Sequence, residues 1–137
     1  MRHLALSLFL AAGALPAAAE TPKVLLDAYA AEARAENPAF AGASAERGRA
    51  FFTKVQGKEW SCASCHTSAP SAGGKHAVTG KAIAPLAPAA NPERFASAYK
   101  AEKWFRRNCN DVLGRECTAR EKGDVLAWLL AVRQEAP

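Results

Sequence analysis

Two thiols and an imidazole fall within five consecutive residues, Cys62-Ala63-Ser64-Cys65-His66. The pattern C-x-x-C-H is the attachment site of a c-type haem. The thiols add across the haem vinyl groups as thioethers, and two intervening residues keep both sulfurs on one edge of the macrocycle. The adjoining His66 then lies under the iron, where its imidazole serves as the proximal axial ligand. Two other chemistries use paired cysteines. A zinc site wants a second ligand pair of matching spacing, and the remaining cysteines, Cys109 and Cys117, form no C-x-x-C. A thiol–disulfide pair has no need of the following histidine. The expectation is one covalent haem c on Cys62 and Cys65, with His66 bound to the iron.

The opposite face of that iron is the open question. Electron-transfer cytochromes commonly close it with methionine; here the only methionine is Met1. His3 also sits at the extreme N-terminus. His76 follows His66 by ten residues, past the flexible Ser71-Ala72-Gly73-Gly74 run. To coordinate, that span would have to carry the chain around the haem edge, so His76 reads first as a surface-loop histidine. Lysines are numerous, but most lysines stay solvated. The iron is therefore either five-coordinate or bound by an unusual group.

The elements that must position this site form one small domain. Residues 1–19 read as a secretory signal, with Arg2 at the start, an apolar run from Leu4 to Leu15 and the small-residue pattern Ala17-Ala18-Ala19. That run is short for a membrane anchor, and no later segment is long and apolar enough to span a bilayer. The mature domain, residues 20–137, is the size of a single domain. Export to the periplasm is expected, where c-type haem is attached in bacteria and disulfides are permitted. The full chain carries 18 basic and 13 acidic side chains, a net +5, and loss of Arg2 with the signal leaves about +4. That balance is too mild for nucleic-acid binding. It favours an acidic redox partner at low ionic strength, although a solvated surface accounts for it equally well.

Residues 23–35 place Val24, Leu25, Leu26, Tyr29 and Ala33 at helical spacing, and Asn37-Pro38 breaks the run. Ser44-Ala45-Glu46-Arg47 combines a capping serine with an acid in the first turn, predicting a second helix to about Val55. On it Gly48 and Phe52 share a face, and the glycine admits a close helix neighbour. Residues 67–91, rich in Ser, Gly, Pro and Ala, predict a long irregular loop around the haem. There Ile83, Pro85, Leu86 and Pro88 are expected to line the haem plane, with a proline carbonyl orienting the His66 ring N–H. Asn91-Pro92-Glu93 predicts a helix start. That helix carries Phe95, Tyr99 and Trp104 and ends near Arg107, with Trp104 in the core rather than shielding the pocket. Thr118-Ala119-Arg120-Glu121 is a capping box, opening a last helix whose Val125, Trp128, Leu129 and Val132 form one apolar stripe. There is no strand-like alternation, so the fold class is all-α.

In an exported protein Cys109 and Cys117 are expected to pair, closing a short loop worth roughly 2–3 kcal/mol. On composition alone Asn108 is a helix C-terminal asparagine. Gly48 with Phe52, and the run Asp124-Val125-Leu126-Ala127-Trp128-Leu129, resemble the crossing helices of class I cytochromes c. That likeness implies a structural Trp128 near Gly48. A more specific set is Arg107-Asn108-Cys109-Asn110, Gly114-Arg115-Glu116-Cys117-Thr118, Glu46-Arg47-Gly48-Arg49-Ala50, Thr79-Gly80-Lys81, Ile83-Ala84-Pro85-Leu86-Ala87-Pro88 and Glu102-Lys103-Trp104. From about residue 44 onward the chain is similar to the sphaeroides haem protein (SHP) family, asparagine-ligated monohaem cytochromes c. The resemblance implies a class I-like helical fold with an extra N-terminal helix and a Cys109–Cys117 bridge. It also implies Asn108 as an amide ligand to oxidised iron. An amide is a weak, neutral, hard donor that suits Fe(III) better than Fe(II). Reduction is then expected to free Asn108 and open the iron to O2, NO or CO. The resemblance further implies electron delivery by a dihaem cytochrome c and a membrane cytochrome b. The competing functions are a plain electron carrier and a haem enzyme reducing oxygen, nitric oxide or peroxide; no dedicated acid–base set is visible for the latter.

Overall fold

The computed structural model describes residues 21–57 and 59–133. The expected signal, residues 1–19, lies outside the described residues. Helix α1 spans Pro22–Glu36; Thr21 caps it by accepting from the Val24 N–H, and Pro22 sits in its first turn. Its buried face is Leu25, Tyr29 and Ala33, and it stops at Asn37 as the sequence predicts. Helix α2 spans Ala45–Thr53, capped by Ser44, whose hydroxyl accepts from Arg47 N–H at 3.2 Å. A one-turn helix α3, Ala63–His66, carries the thiol–imidazole motif. Helices α4, Ala98–Leu113, and α5, Ala119–Ala131, complete the helical set among the described residues. The capping box read at Thr118 and Glu121 is formed in both directions at the start of α5.

Helix α5 is the centre of the molecule. Val125, Leu126, Trp128 and Leu129 are buried on it, and α1 and α2 both pack closely along it. At the α2–α5 crossing, a β-carbon on Gly48 would run into the backbone of Asp124 and Val125, so the close approach requires glycine. One turn on, the Phe52 and Trp128 rings pack at a tilt of 54° with centroids 4.9 Å apart. The same crossing buries a charge: Asp124 is only 4 % exposed. Its carboxylate accepts from Ser44 N–H at 2.7 Å and from Arg47 Nε and Nη2 at 2.8 Å each. A buried carboxylate is tolerable only when paired and hydrogen-bonded in this way.

The structure differs from the sequence expectations in four places. Two short strands, β1 (Gly74–Lys75) and β2 (Ala82–Ile83), pair antiparallel within the 67–91 loop; two-residue strands are too short to produce alternation. No helix starts at Asn91. The Asn91 amide donates to Pro85 O, and Phe95 has φ 59°, a left-handed backbone that interrupts any helix there. Helix α4 instead begins after Ser97, whose hydroxyl accepts from Lys100 N–H. It also runs past Arg107 to Gly114, which ends it in the left-handed conformation with its N–H on Asn110 O. Asn108 is therefore inside the helix, not at its C-terminus. Trp104 is 47 % and Tyr99 78 % exposed, so neither is in the core; the inward face of α4 is Ala101, Phe105 and Cys109.

Candidate haem-iron site

Residues 62–66 close into a helical turn: Cys65 and His66 N–H both donate to Cys62 O, at 3.3 and 3.1 Å. Positions i, i+3 and i+4 share a face of such a turn, so Cys62, Cys65 and His66 are brought together by local geometry alone. Ser64 Oγ steadies the entry by accepting from the Ser61 N–H at 3.0 Å, and Thr67, at φ 61°, turns the chain away. The hairpin then folds back on the motif. Ala77 N–H donates to Cys65 Sγ at 3.3 Å, and a β-carbon at Gly74 would collide with the Cys65 carbonyl.

Electrostatics favour the neutral forms here. Burial pushes the Cys62 thiol up to about 11. Burial, then the nearby Arg94 cation, lowers the His66 imidazole from its ordinary value, which keeps it in the lone-pair form a metal requires. The His66 ring lies 6.2 Å from Phe52. Phe52, Val125, Trp128 and Leu129 form an apolar cluster against which Cys62, Ala63, Leu86, Phe95 and Phe105 pack. Among the described residues, no further Cys, His, Asp or Glu converges on the thiols as a zinc site would demand.

The remaining sequence candidates fall on other elements. Helix α4 reaches the same apolar cluster through Phe105. Asn108 lies three residues further along that face, half-buried, and its amide makes no hydrogen bond among the described residues. Next to it, Cys109 bridges to Cys117 with Cα atoms 5.7 Å apart. His76 sits in the hairpin turn, where its Nδ1 accepts from the Val78 and Thr79 N–H groups at 3.2 Å each. Of the loop prolines, one of which was expected to orient His66 through its carbonyl, Pro85 accepts from Asn91 Nδ2 at 3.2 Å and Arg94 Nε at 3.0 Å. Arg94 was not legible as a site residue; it reaches its carbonyl partners across an irregular loop that leaves no pattern.

Comparison with known proteins fits this geometry. The chain is 48 % identical to the cytochrome c-type protein SHP of Cereibacter sphaeroides over 134 residues, covering 95 % of this chain and 98 % of that one. The chain belongs to the SHP family of c-type cytochromes. It is also 43 % identical to cytochrome c'' of Methylophilus methylotrophus over 74 % of each chain. The family described as a domain of unknown function, DUF1924, matches residues 38–129. Among solved structures, oxidised SHP, described as an oxygen-binding cytochrome c, superposes with a TM-score of 0.74 at 46 % identity, over 83 % of this chain and 99 % of that one. Oxidised cytochrome c'' superposes with a TM-score of 0.76 at 40 % identity, over 82 % and 95 %.

SHP-family membership implies haem c, and the residues present fit it. Two unpaired thiols stand on one face with a half-buried, neutral imidazole, against a wall of aromatic and aliphatic side chains. Cys62 and Cys65 would hold the macrocycle edge, His66 the iron, and Phe52, Leu86 and Phe105 would supply the apolar contact a porphyrin needs.

Proposed function

We propose that this protein is an exported, periplasmic c-type cytochrome whose distal iron ligand is the amide of Asn108, held in the oxidised state and released on reduction. One haem is attached covalently at Cys62 and Cys65, with His66 as the permanent ligand. Bound there, haem iron supplies a one-electron couple and, where a distal position is open, a seat for a small diatomic ligand. The chain's own residues decide whether that position opens. Asn108 is a weak donor on a half-buried helix face, free of competing side-chain hydrogen bonds among the described residues, and tied at the next residue by the Cys109–Cys117 bridge. That placement, on the helix that meets the motif's apolar cluster from another side, is the observation that carries the proposal. Two relatives support it: SHP is described as an oxygen-binding cytochrome c, and the solution structure of cytochrome c'' is described in terms of haem-ligand detachment. Once freed, the Asn108 amide becomes a hydrogen-bond donor toward whatever ligand replaces it. Electrons arrive from a redox partner protein, and O2, NO or CO binds the reduced form.

Absorption spectra of the oxidised and reduced protein, with and without CO, test this. The expected result is a low-spin or mixed-spin oxidised form and a high-spin reduced form that binds CO. Asn108→Ala is expected to make the oxidised form high-spin. A low-spin reduced form indifferent to CO would show a permanent sixth ligand; a high-spin oxidised form produced by His76→Ala instead would move the distal assignment to His76.

A further inference from the structure

Helix α4 carries Asn108, yet it shares no close backbone seam like those that join α1 and α2 to α5. Its place is set by side chains. At its C-terminal end there is the Cys109–Cys117 bridge. In the middle, Phe105 sits edge-on to the Tyr29 ring with centroids 5.9 Å apart. One turn nearer the N-terminus is Glu102, a carboxylate that the haem chemistry does not use. Tyr29 Oη donates to its Oε1 at 2.6 Å, and Lys122 Nζ donates to its Oε2 at 2.8 Å. Lys122 also lies over the Tyr29 ring, 5.4 Å from its centroid. One acid on α4 thus gathers a phenol from α1 and an ammonium from α5. Tyr29 is 3 % exposed, so its hydroxyl depends on Glu102 for an acceptor, and a buried donor without one is costly. Burial, then the Glu102 hydrogen bond, raises the phenol well above its ordinary range, so it stays a proton donor. Glu102 is less than two helical turns from Asn108 on the same rigid rod.

We propose that Glu102 is a positioning residue for the iron ligand: through Tyr29 and Lys122 it fixes the seating of α4 and so sets how firmly Asn108 holds oxidised iron. The proposal rests on the Asn108 assignment made above. Its physical basis is the weakness of the ligand. A strong ligand would drag its helix into place; a neutral amide contributes little, so it holds only when the helix already presents it correctly. The N-terminal helix acquires a role in this account, since it supplies the Tyr29 hydroxyl that completes the tie.

The test uses the holoprotein, with azide as the probe of ferric iron. Azide competes with Asn108, so its apparent affinity rises as the ligand-free fraction rises. Glu102→Ala is expected to increase the high-spin fraction of the oxidised form and to tighten azide binding about fivefold. Faster amide hydrogen exchange along α4 should accompany the change. Glu102→Gln keeps an oxygen for Tyr29 and should recover most of the wild-type behaviour. Tyr29→Phe, which removes only the phenol oxygen, should move the same readouts in the same direction by less, and it serves if Glu102→Ala does not fold. In an Asn108→Ala background, Glu102→Ala should leave azide affinity unchanged. The proposal is overturned if the Glu102 and Tyr29 variants lower the melting temperature but keep the wild-type ferric spectrum and azide affinity. It is overturned equally if Glu102→Ala alters azide binding as much without Asn108 as with it. An Asn108→Ala protein with an unchanged ferric spectrum would instead remove the distal assignment itself, and the Glu102 role with it.

Discussion

Replacing both bridge cysteines, Cys109→Ser with Cys117→Ser, separates the stabilising role of the disulfide from its role beside Asn108. The bridge closes a loop with a sequence separation of 8. In the chain-entropy account a loop of that length restrains the unfolded state by about 2.5 kcal/mol at 25 °C. The full value is expected because the helix ends beside the bridge are held by bonds of their own. Helix α4 is already ended by left-handed Gly114, whose N–H reaches Asn110 O at 3.1 Å. Helix α5 is started by its own capping box, and Arg115 spans the junction with two bonds to Glu121, at 2.8 and 2.6 Å. For a domain of this size the melting temperature should fall by about 10 °C. In urea the midpoint should drop with an unchanged slope, since the surface exposed on unfolding is the same. Cys109 is adjacent to Asn108, so the oxidised protein should also gain high-spin character, read in its absorption spectrum. A midpoint shift equivalent to less than about 0.5 kcal/mol would refute the loop-entropy reasoning. A changed slope would refute the claim that the helix ends stand on their own.

Three further outcomes are expected. Asp124→Ala strands the Ser44 N–H and the Arg47 guanidinium at the α2–α5 crossing; because Arg47 is partly exposed and regains water, the loss should be about 3 kcal/mol, measured by urea denaturation. Gly74→Ala puts a methyl group into the Cys65 carbonyl and His66 backbone, so the hairpin must lift off the motif, and the yield of protein carrying covalent haem should fall when assayed by haem stain against total protein. Glu121 is raised by burial, but the Arg115 and Thr118 bonds outweigh this and hold its carboxyl below the ordinary value. Its contribution to stability is therefore complete above the unfolded carboxylate value of about 4.3 and lost as pH falls through the depressed folded value; Glu121→Gln should flatten the stability–pH curve on the acid side.

The parts of this molecule legible in sequence are those whose physics is local. Cys62, Cys65 and His66 are joined by one helical turn, so their spacing alone places them together. The starts of α2 and α5 were readable because Ser44 and Thr118-Glu121 bond within a few residues of themselves, and α1 was readable from its apolar spacing. Helix α4 shows the limit. Asn91-Pro92 has the composition of a helix start, but the Asn91 side chain is drawn to Pro85 O and Phe95 bends the chain in left-handed φ. Neither leaves a mark in the local composition. Together they moved the start to Ser97 and turned the expected Trp104 face outward. The Tyr29–Glu102 contact joins residues 73 apart and the Lys122–Glu102 contact residues 20 apart, and nothing in either neighbourhood announces them.

The two anchors of α4 also constrain how the proposed Asn108 ligand could leave. Glu102 and Cys109 lie seven residues apart, about 10 Å of helix at 1.5 Å per residue, with Asn108 between them. With both ends of that span tied, to α1 and α5 at one end and to Cys117 at the other, the helix can neither slide nor roll without breaking a disulfide or unpairing a buried phenol. On the proposed ligation, release of Asn108 falls to its own side-chain torsions rather than to a displacement of the helix. On that proposal, a rigid helix with a loose tip would let one site hold a ligand in one oxidation state and drop it in the other. The scaffold would then keep the amide within reach in both states, leaving the iron's own preference to decide whether it is taken.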